Sequence, residues 1–222
     1  MTPQEFQSWL VVHGAPGLAV DGALGPATRA AILAVFSNKE APAATDSDMA
    51  AIASRLGGTV RQLKAVAAVE SGGSGFDDEG RPKILFERHY FHRLTDGKWT
   101  PSIFSDPTSG GYSQSSWEKL TLAACRDVDA AFASASWGKF QVMGAHWKAL
   151  GYDSPLALAW SCVGSEAAHY ELLARYIEHN NLAGAFRAIS ADPETCRAFA
   201  AGYNGPGYRK FDYHSKIAAR MK

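Results

Sequence analysis

The chain has little that would tie it to a disulfide scaffold, a membrane or a charged polymer. Cysteine is scarce: Cys125, Cys162 and Cys196 stand far apart, without metal-ligand spacing. An odd, scattered set argues against a disulfide framework and for synthesis in a reducing compartment. No apolar run is long enough to span a bilayer, so stable membrane insertion is not expected. The opening residues, Met-Thr-Pro-Gln-Glu-Phe-Gln, lack a basic start and an apolar stretch, so no signal peptide is expected. Excess charge is missing too. Lys+Arg and Asp+Glu both total 22, which leaves no global field to recruit nucleic acid. No solenoid-type repeat is visible, and a monomer is the default expectation.

What remains is an ordinary globular composition, 46% hydrophobic and 20% charged, long enough for one good core plus a small module. The charge is uneven near the end. From Ala183 onward Arg187, Arg197, Arg209, Lys210, Lys216, Arg220 and Lys222 face only Asp192, Glu194 and Asp212. Such a segment suits a solvated helix face better than an anionic partner.

Residues 65–76, Ala-Val-Ala-Ala-Val-Glu-Ser-Gly-Gly-Ser-Gly-Phe, are the organising stretch. Thr59 and Gln62 read as a capping box that starts a helix. Val60, Leu63, Ala67 and Glu70 then share one stripe, so Glu70 is carried on the face that meets the core. Desolvation and the negative helix end both favour its protonated form. Gly72 and Gly73 supply the left-handed stop. A carboxylic acid held protonated near neutral pH is what a general acid requires. The same residues also suit a plain helix end with its glutamate half in solvent.

Residues 3–36 read as a compact unit: a helix with Phe6, Trp9 and Leu10, a turn-rich stretch, and a second helix from Thr28 to Phe36. Asp21-Gly22 forms a tight turn and Pro26 suits a first helical turn. The stretch Val-Asp-Gly-Ala-Leu-Gly-Pro-Ala-Thr-Arg, residues 20–29, resembles a peptidoglycan-binding module, a small three-helix bundle. The resemblance implies wall-binding roles for Asp21, Gly22, Gly25 and Thr28. Residues 37–46 read as a linker, and residues 47–222 as the second domain. There Ser47 is expected to cap a helix over Met49–Leu56. Lys83 to Phe91 is the one convincing strand. Trp117 to Ala133 reads as one helix and Pro155 to His179 as a long one. Shorter helices are expected near 145–150, 182–190, 194–202 and 208–221. The fold class is mostly α, with an α+β lysozyme-like domain holding a small sheet.

Glu87, seventeen positions after Glu70 on that strand, is a second carboxylate. Inverting glycoside hydrolysis uses an acid and a base roughly 6.5–9.5 Å apart with a water between them. Alternatively, Glu87 forms an ion pair with Arg88 or Arg81. His89 and His92 have no third ligand at metal spacing and read as polar edge or sugar-contact residues; no metal or cofactor is expected. In Gly-Lys-Phe-Gln-Val-Met-Gly, residues 138–144, Gln141 offers a donor and an acceptor, and Met143 can pack on a sugar face. This stretch reads as a helix turn. Tyr203 and Asn204 stand at a helix end before Gly-Pro-Gly. The Gly110-Gly111-Tyr112 loop is a further candidate for lining a groove.

Taken in order, Glu70-Ser71, then Gly138-x-x-Gln141-x-Met143, then Tyr203-Asn204-x-Gly-Pro-Gly resemble the goose-type lysozyme and soluble lytic transglycosylase superfamily. With Ile84-Leu85-Phe86-Glu87-Arg88-His89, the pattern is similar to the N-acetylmuramidase domain of modular phage endolysins. That resemblance implies cleavage of the β-1,4 bond between N-acetylmuramic acid and N-acetylglucosamine in peptidoglycan. Glu70 would be the acid and Glu87 a second carboxylate, with Ser71, His89, Gln141, Met143, Tyr203 and Asn204 as substrate contacts. It also implies a protein that waits in a host bacterial cytoplasm before reaching the wall. One departure stands out. Gly144 occupies the position where the transglycosylase motif continues into Pro, which leaves hydrolysis and anhydro-product chemistry both open.

Overall fold

Thirteen residues set the tone of the helical half. Thr59 Oγ accepts from Gln62 N at 3.2 Å while Gln62 Oε1 accepts from Thr59 N at 2.8 Å, the expected reciprocal cap. From there the chain runs as a helix to Glu70, and Ser71 leaves it in extended backbone. The computed structural model describes residues 1–71 and 73–222. Gly73 has φ +102°, a left-handed-side conformation suited to glycine; its partner in the expected stop, Gly72, lies outside the described residues.

In chain order the elements are α1 (Pro3–Val12), α2 (Pro26–Val35), α3 (Asp46–Arg55), α4 (Val60–Glu70), β1 (Ile84–Phe86), α5 (Arg88–Leu94), α6 (Ser116–Ala124), α7 (Val128–Ala133), β2 (Ala135–Trp137), β3 (Val142–Met143), α8 (Pro155–Ser161), α9 (Glu166–His179), α10 (Ala183–Arg187), α11 (Pro193–Asn204) and α12 (Tyr213–Ala219). They gather into two compact units, Met1–Ala41 with Phe76–Gly164, and Pro42–Gly75 with Ser165–Lys222.

In the first unit β1, β2 and β3 form an antiparallel sheet in that order, Ile84 opposite Trp137 and Ser136 opposite Met143. Its core is aromatic. Phe36 stacks on Phe132 at 5.5 Å and lies 5.5 Å from Trp117 and 5.9 Å from Trp137, while Phe6 meets Phe132 edge-on at 6.1 Å. Residues 3–36 therefore share one core with residues 117–137. Two helices, α1 and α2, form within residues 3–36 rather than a bundle of three, because Gly14 to Leu24 is spent on turns and bends. The start of the expected linker is docked as well. Asn38 N donates to Gly80 O at 2.9 Å, and Asn38 Nδ2 donates to Val163 O at 3.1 Å.

In the second unit α4 packs against α3 and α12, α3 also against α9, and α11 against α10 and α12. Leu63, Val66, Leu173, Ile177, Phe186, Phe199 and Ile217 are among its buried apolar residues. The buried amide of Gln62 also donates to Arg187 O and Ile189 O at 2.8 and 2.9 Å, so the residue that caps α4 ties it to the end of α10 and the chain just after it.

Several expected elements are cut by local caps. The helix expected over Trp117–Ala133 breaks between α6 and α7, where Asp127 accepts from Ala130 N at 2.9 Å. The one expected over Pro155–His179 breaks between α8 and α9, where Gly164 precedes Ser165, whose hydroxyl accepts from Ala168 N. Asp and Ser satisfy the free N–H groups of a new helix start better than they extend an old one. Thr45, not Ser47, caps α3. The strand expected to reach Phe91 stops at Phe86. Glu87 is the N-cap position of α5, and helical spacing buries Phe91.

Candidate active site

Glu70 ends α4 in the second unit, half-buried. Asn204, the last residue of α11, donates from Nδ2 to Glu70 Oε1 at 2.9 Å. Burial pushes the Glu70 carboxyl up to about 7, against the opposing pull of that hydrogen bond. Tyr203 lies beside it. Its ring stacks on Phe199 at 5.7 Å and meets Tyr176 edge-on at 5.4 Å. Burial, with the Glu70 charge second, holds its hydroxyl well above the ordinary tyrosine range. Tyr213, the first residue of α12, is raised by the same two causes in the same order. Glu70, Tyr203 and Asn204 are thus brought together. Tyr213 joins them from a part of the chain where no motif marks it. Ser71, expected to meet substrate, turns its hydroxyl back onto Ala67 O, the carbonyl that also accepts the Ser71 N–H at 3.0 Å, the local back-bond one turn away that a serine at a helix end readily makes.

Glu87 belongs to the first unit, its side chain 15% exposed. Neither expected arginine pairs with it. Arg81 Nε is 3.0 Å from Asp77, and Arg88 Nη1 is 3.7 Å from Asp106. Instead, Tyr112 donates its hydroxyl to Glu87 Oε2 at 3.0 Å. His89 Nδ1 stands 3.2 Å from the same oxygen, but without the alignment of a hydrogen bond. The Tyr112 hydroxyl is raised by burial first and then by Glu87. The Gly110-Gly111-Tyr112 signal was visible in the sequence; its target was not.

Gln141 sits in the β2–β3 hairpin, not on a helix turn, with φ +51°. Its Oε1 accepts from Ser136 Oγ at 2.8 Å, and its Nε2 donates to Gly138 O at 2.8 Å and Lys83 O at 3.2 Å. Both ends of the amide are used in holding the hairpin to the β1 side. Met143 is on β3, half-buried, opposite Ser136. Gly144 has a packing reason. A Cβ there would come within 2.1 Å of Phe132 O, so no larger residue, proline included, fits that backbone.

The four residues expected to mark wall binding shape their own turn. Gln7 Nε2 donates to Asp21 Oδ1 at 2.9 Å, and Gln7 Oε1 accepts from Gly22 N at 2.7 Å, with Gly22 at φ +80°. Gly25 is the N-cap position of α2. Thr28 is 1% exposed, so its side chain is a core residue and not a surface contact. Among the described residues no group of three His, Cys, Asp or Glu side chains could hold a metal ion, and no helix is long and apolar enough to cross a membrane.

The crystal structure of a Burkholderia AP3 phage endolysin is similar over 98% of this chain and 92% of its own, with 29% identity and a TM-score of 0.73. Among curated proteins nothing matches the chain. The Muramidase family model, described as N-acetylmuramidase, matches residues 59–222, which include Glu70, Glu87 and the Tyr203-Asn204 pair. The chain belongs to the N-acetylmuramidase family, a family of glycoside hydrolases.

Proposed function

We propose that this muramidase is an endolysin that hydrolyses the β-1,4 bond between N-acetylmuramic acid and N-acetylglucosamine, with Glu70 as the general acid. The observation that carries the assignment is the state of Glu70: a half-buried carboxyl raised to about 7 and held at one oxygen by Asn204. An acid that keeps its proton near neutrality can deliver it to the glycosidic oxygen as the bond breaks. Likeness over nearly the whole length of a phage endolysin supports the lytic role. Glu87 is the candidate for activating the water, a mostly buried carboxylate whose Oε2 is held in place by the Tyr112 hydroxyl with His89 beside it. Peptidoglycan is the partner, the working form is a monomer, and the protein waits in the host cytoplasm until it reaches the wall.

Mass analysis of digested peptidoglycan tests the chemistry. Hydrolysis leaves reducing muramic ends. Ends lighter by one water are 1,6-anhydro products, and finding them would replace hydrolysis by lytic transglycosylation. A chain that binds wall material and releases no fragments would be a binding protein only. Gly144 no longer weighs on the choice, because its identity follows from the Phe132 carbonyl beside it.

A further inference from the structure

Lys119 is the most deeply buried cation among the described residues, at 0% exposure. Lysine is almost never fully buried without a partner, and no carboxylate is bonded to this one. It rises from α6, and its Nζ donates to the carbonyl of Gly111 at 2.8 Å. Gly111 has φ +70° and Gly110 φ +131°, so the chain turns sharply here and the next residue, Tyr112, is delivered onto Glu87. The far side of the same loop is held by Arg88, whose Nε donates to Thr108 O at 3.2 Å and whose Nη1 faces Asp106. Tyr112 as a residue is 52% exposed, although its hydroxyl end is partly covered. A side chain this exposed depends on its backbone for where its hydroxyl points.

We propose that Lys119 is a positioning residue: its buried ammonium clamps the Gly111 carbonyl and thereby sets the Tyr112 hydroxyl on Glu87 Oε2. The inference rests on the reading of Glu87 as the second carboxylate. The chain of contacts is short, from Nζ to a carbonyl, one peptide on to a tyrosine, and from its hydroxyl to the carboxylate. Burial lowers the Lys119 ammonium, and the nearby Glu87 charge opposes that fall, as expected for a cation kept close to the carboxylate it serves. Glu87, His89, Arg88, Tyr112 and Lys119 are the titratable groups gathered at this point.

The test uses the full chain with Lys119→Met, Tyr112→Phe and the double variant. Loss of a hydrogen bond to a charged group is roughly a ten- to hundredfold effect, so each single variant is expected to lose at least about tenfold in kcat with KM nearly unchanged. The double variant should be no slower than the slower single one. Tyrosine carbon NMR adds a readout that needs no turnover: in Lys119→Met the Tyr112 hydroxyl should titrate closer to the ordinary tyrosine range. An unchanged Tyr112 titration in that variant, or rate losses that multiply in the double variant, overturns the proposal. If Lys119→Met does not fold, Tyr112→Phe decides, because it removes only a hydroxyl from a half-exposed residue; wild-type kcat there overturns the proposal, and a specific loss of kcat supports it. Glu87→Gln separates the two levels. Full activity in that variant removes Glu87 from the reaction, whereas the Tyr112 titration judges Lys119 either way.

Discussion

Asn204 Nδ2 lies 2.9 Å from Glu70 Oε1, joining the end of α11 to the end of α4. The bond is a restraint on chemistry as well as on geometry. It favours the ionised carboxylate, while burial favours the neutral acid, and burial wins. Glu70 is therefore poised near neutrality instead of being locked in one state.

Replacing Glu70 by Gln should abolish lysis and leave the fold intact. It should also stabilise the protein. Between pH 4.5 and about 7 the folded chain keeps a proton that the unfolded chain has released, so stability declines as pH rises through that window and is level above it. The difference corresponds to roughly 3 kcal/mol as an upper figure. Glu70→Gln should thus melt higher than the wild type at pH 8 and much closer to it at pH 4.5. Calorimetry at the two values checks this, and equal gains at both would mean that Glu70 is not held neutral by burial.

The rate should fall as pH rises through about 7, because the acid must be protonated. Removing the Asn204 donor takes away the influence that lowers Glu70. In Asn204→Ala the alkaline limb should move to higher pH, even as the maximal rate drops through lost orientation of the carboxyl. A pH–kcat/KM profile on soluble glycan fragments measures both. A limb that moves down, or does not move, contradicts the role of this hydrogen bond.

Glu87→Gln should lose at least about a hundredfold in kcat if its carboxylate activates water, the range expected for general-base catalysis. Binding of insoluble wall material should be unchanged. Near-normal turnover together with anhydro ends in the digest would point to transglycosylation.

Phe36 is fully buried against Phe132, Trp117 and Trp137. Phe36→Ala should cost about 3–5 kcal/mol, read by urea unfolding followed through tryptophan fluorescence. Deleting residues 1–36 should have the same consequence more severely, since it strips one wall from that aromatic core. A deletion variant as stable as the full chain would show that the N-terminal segment is an independent module after all.

Local chemistry made a good part of the molecule legible. The Thr59–Gln62 box, the helix carrying Glu70 and the Tyr203-Asn204 helix end follow from spacings of three and four residues and from cap preferences, which act over one or two turns. Element limits were less legible where two local preferences competed: Asp127 and Ser165 each restart a helix inside a run whose apolar pattern continues through them, and Glu87 ends a strand whose aromatic composition continues into α5. The partners of the polar groups were hidden altogether. Gln141 looks like an amide free for sugar, yet it spends both ends on the hairpin. Glu87 looks like an arginine's partner, yet it receives a tyrosine from 25 residues away in sequence.

The amino-acid order alone determined a mostly helical chain, a glutamate carried to a helix end, and the family pattern around it, because each depends on neighbours within a few residues. Only the tertiary structure decided that Phe6 and Phe36 belong to the core of residues 117–137, that Asn204 reaches Glu70, and that Tyr112 reaches Glu87. Those contacts join segments far apart in the chain, and they form only once the packed fold has brought the segments together.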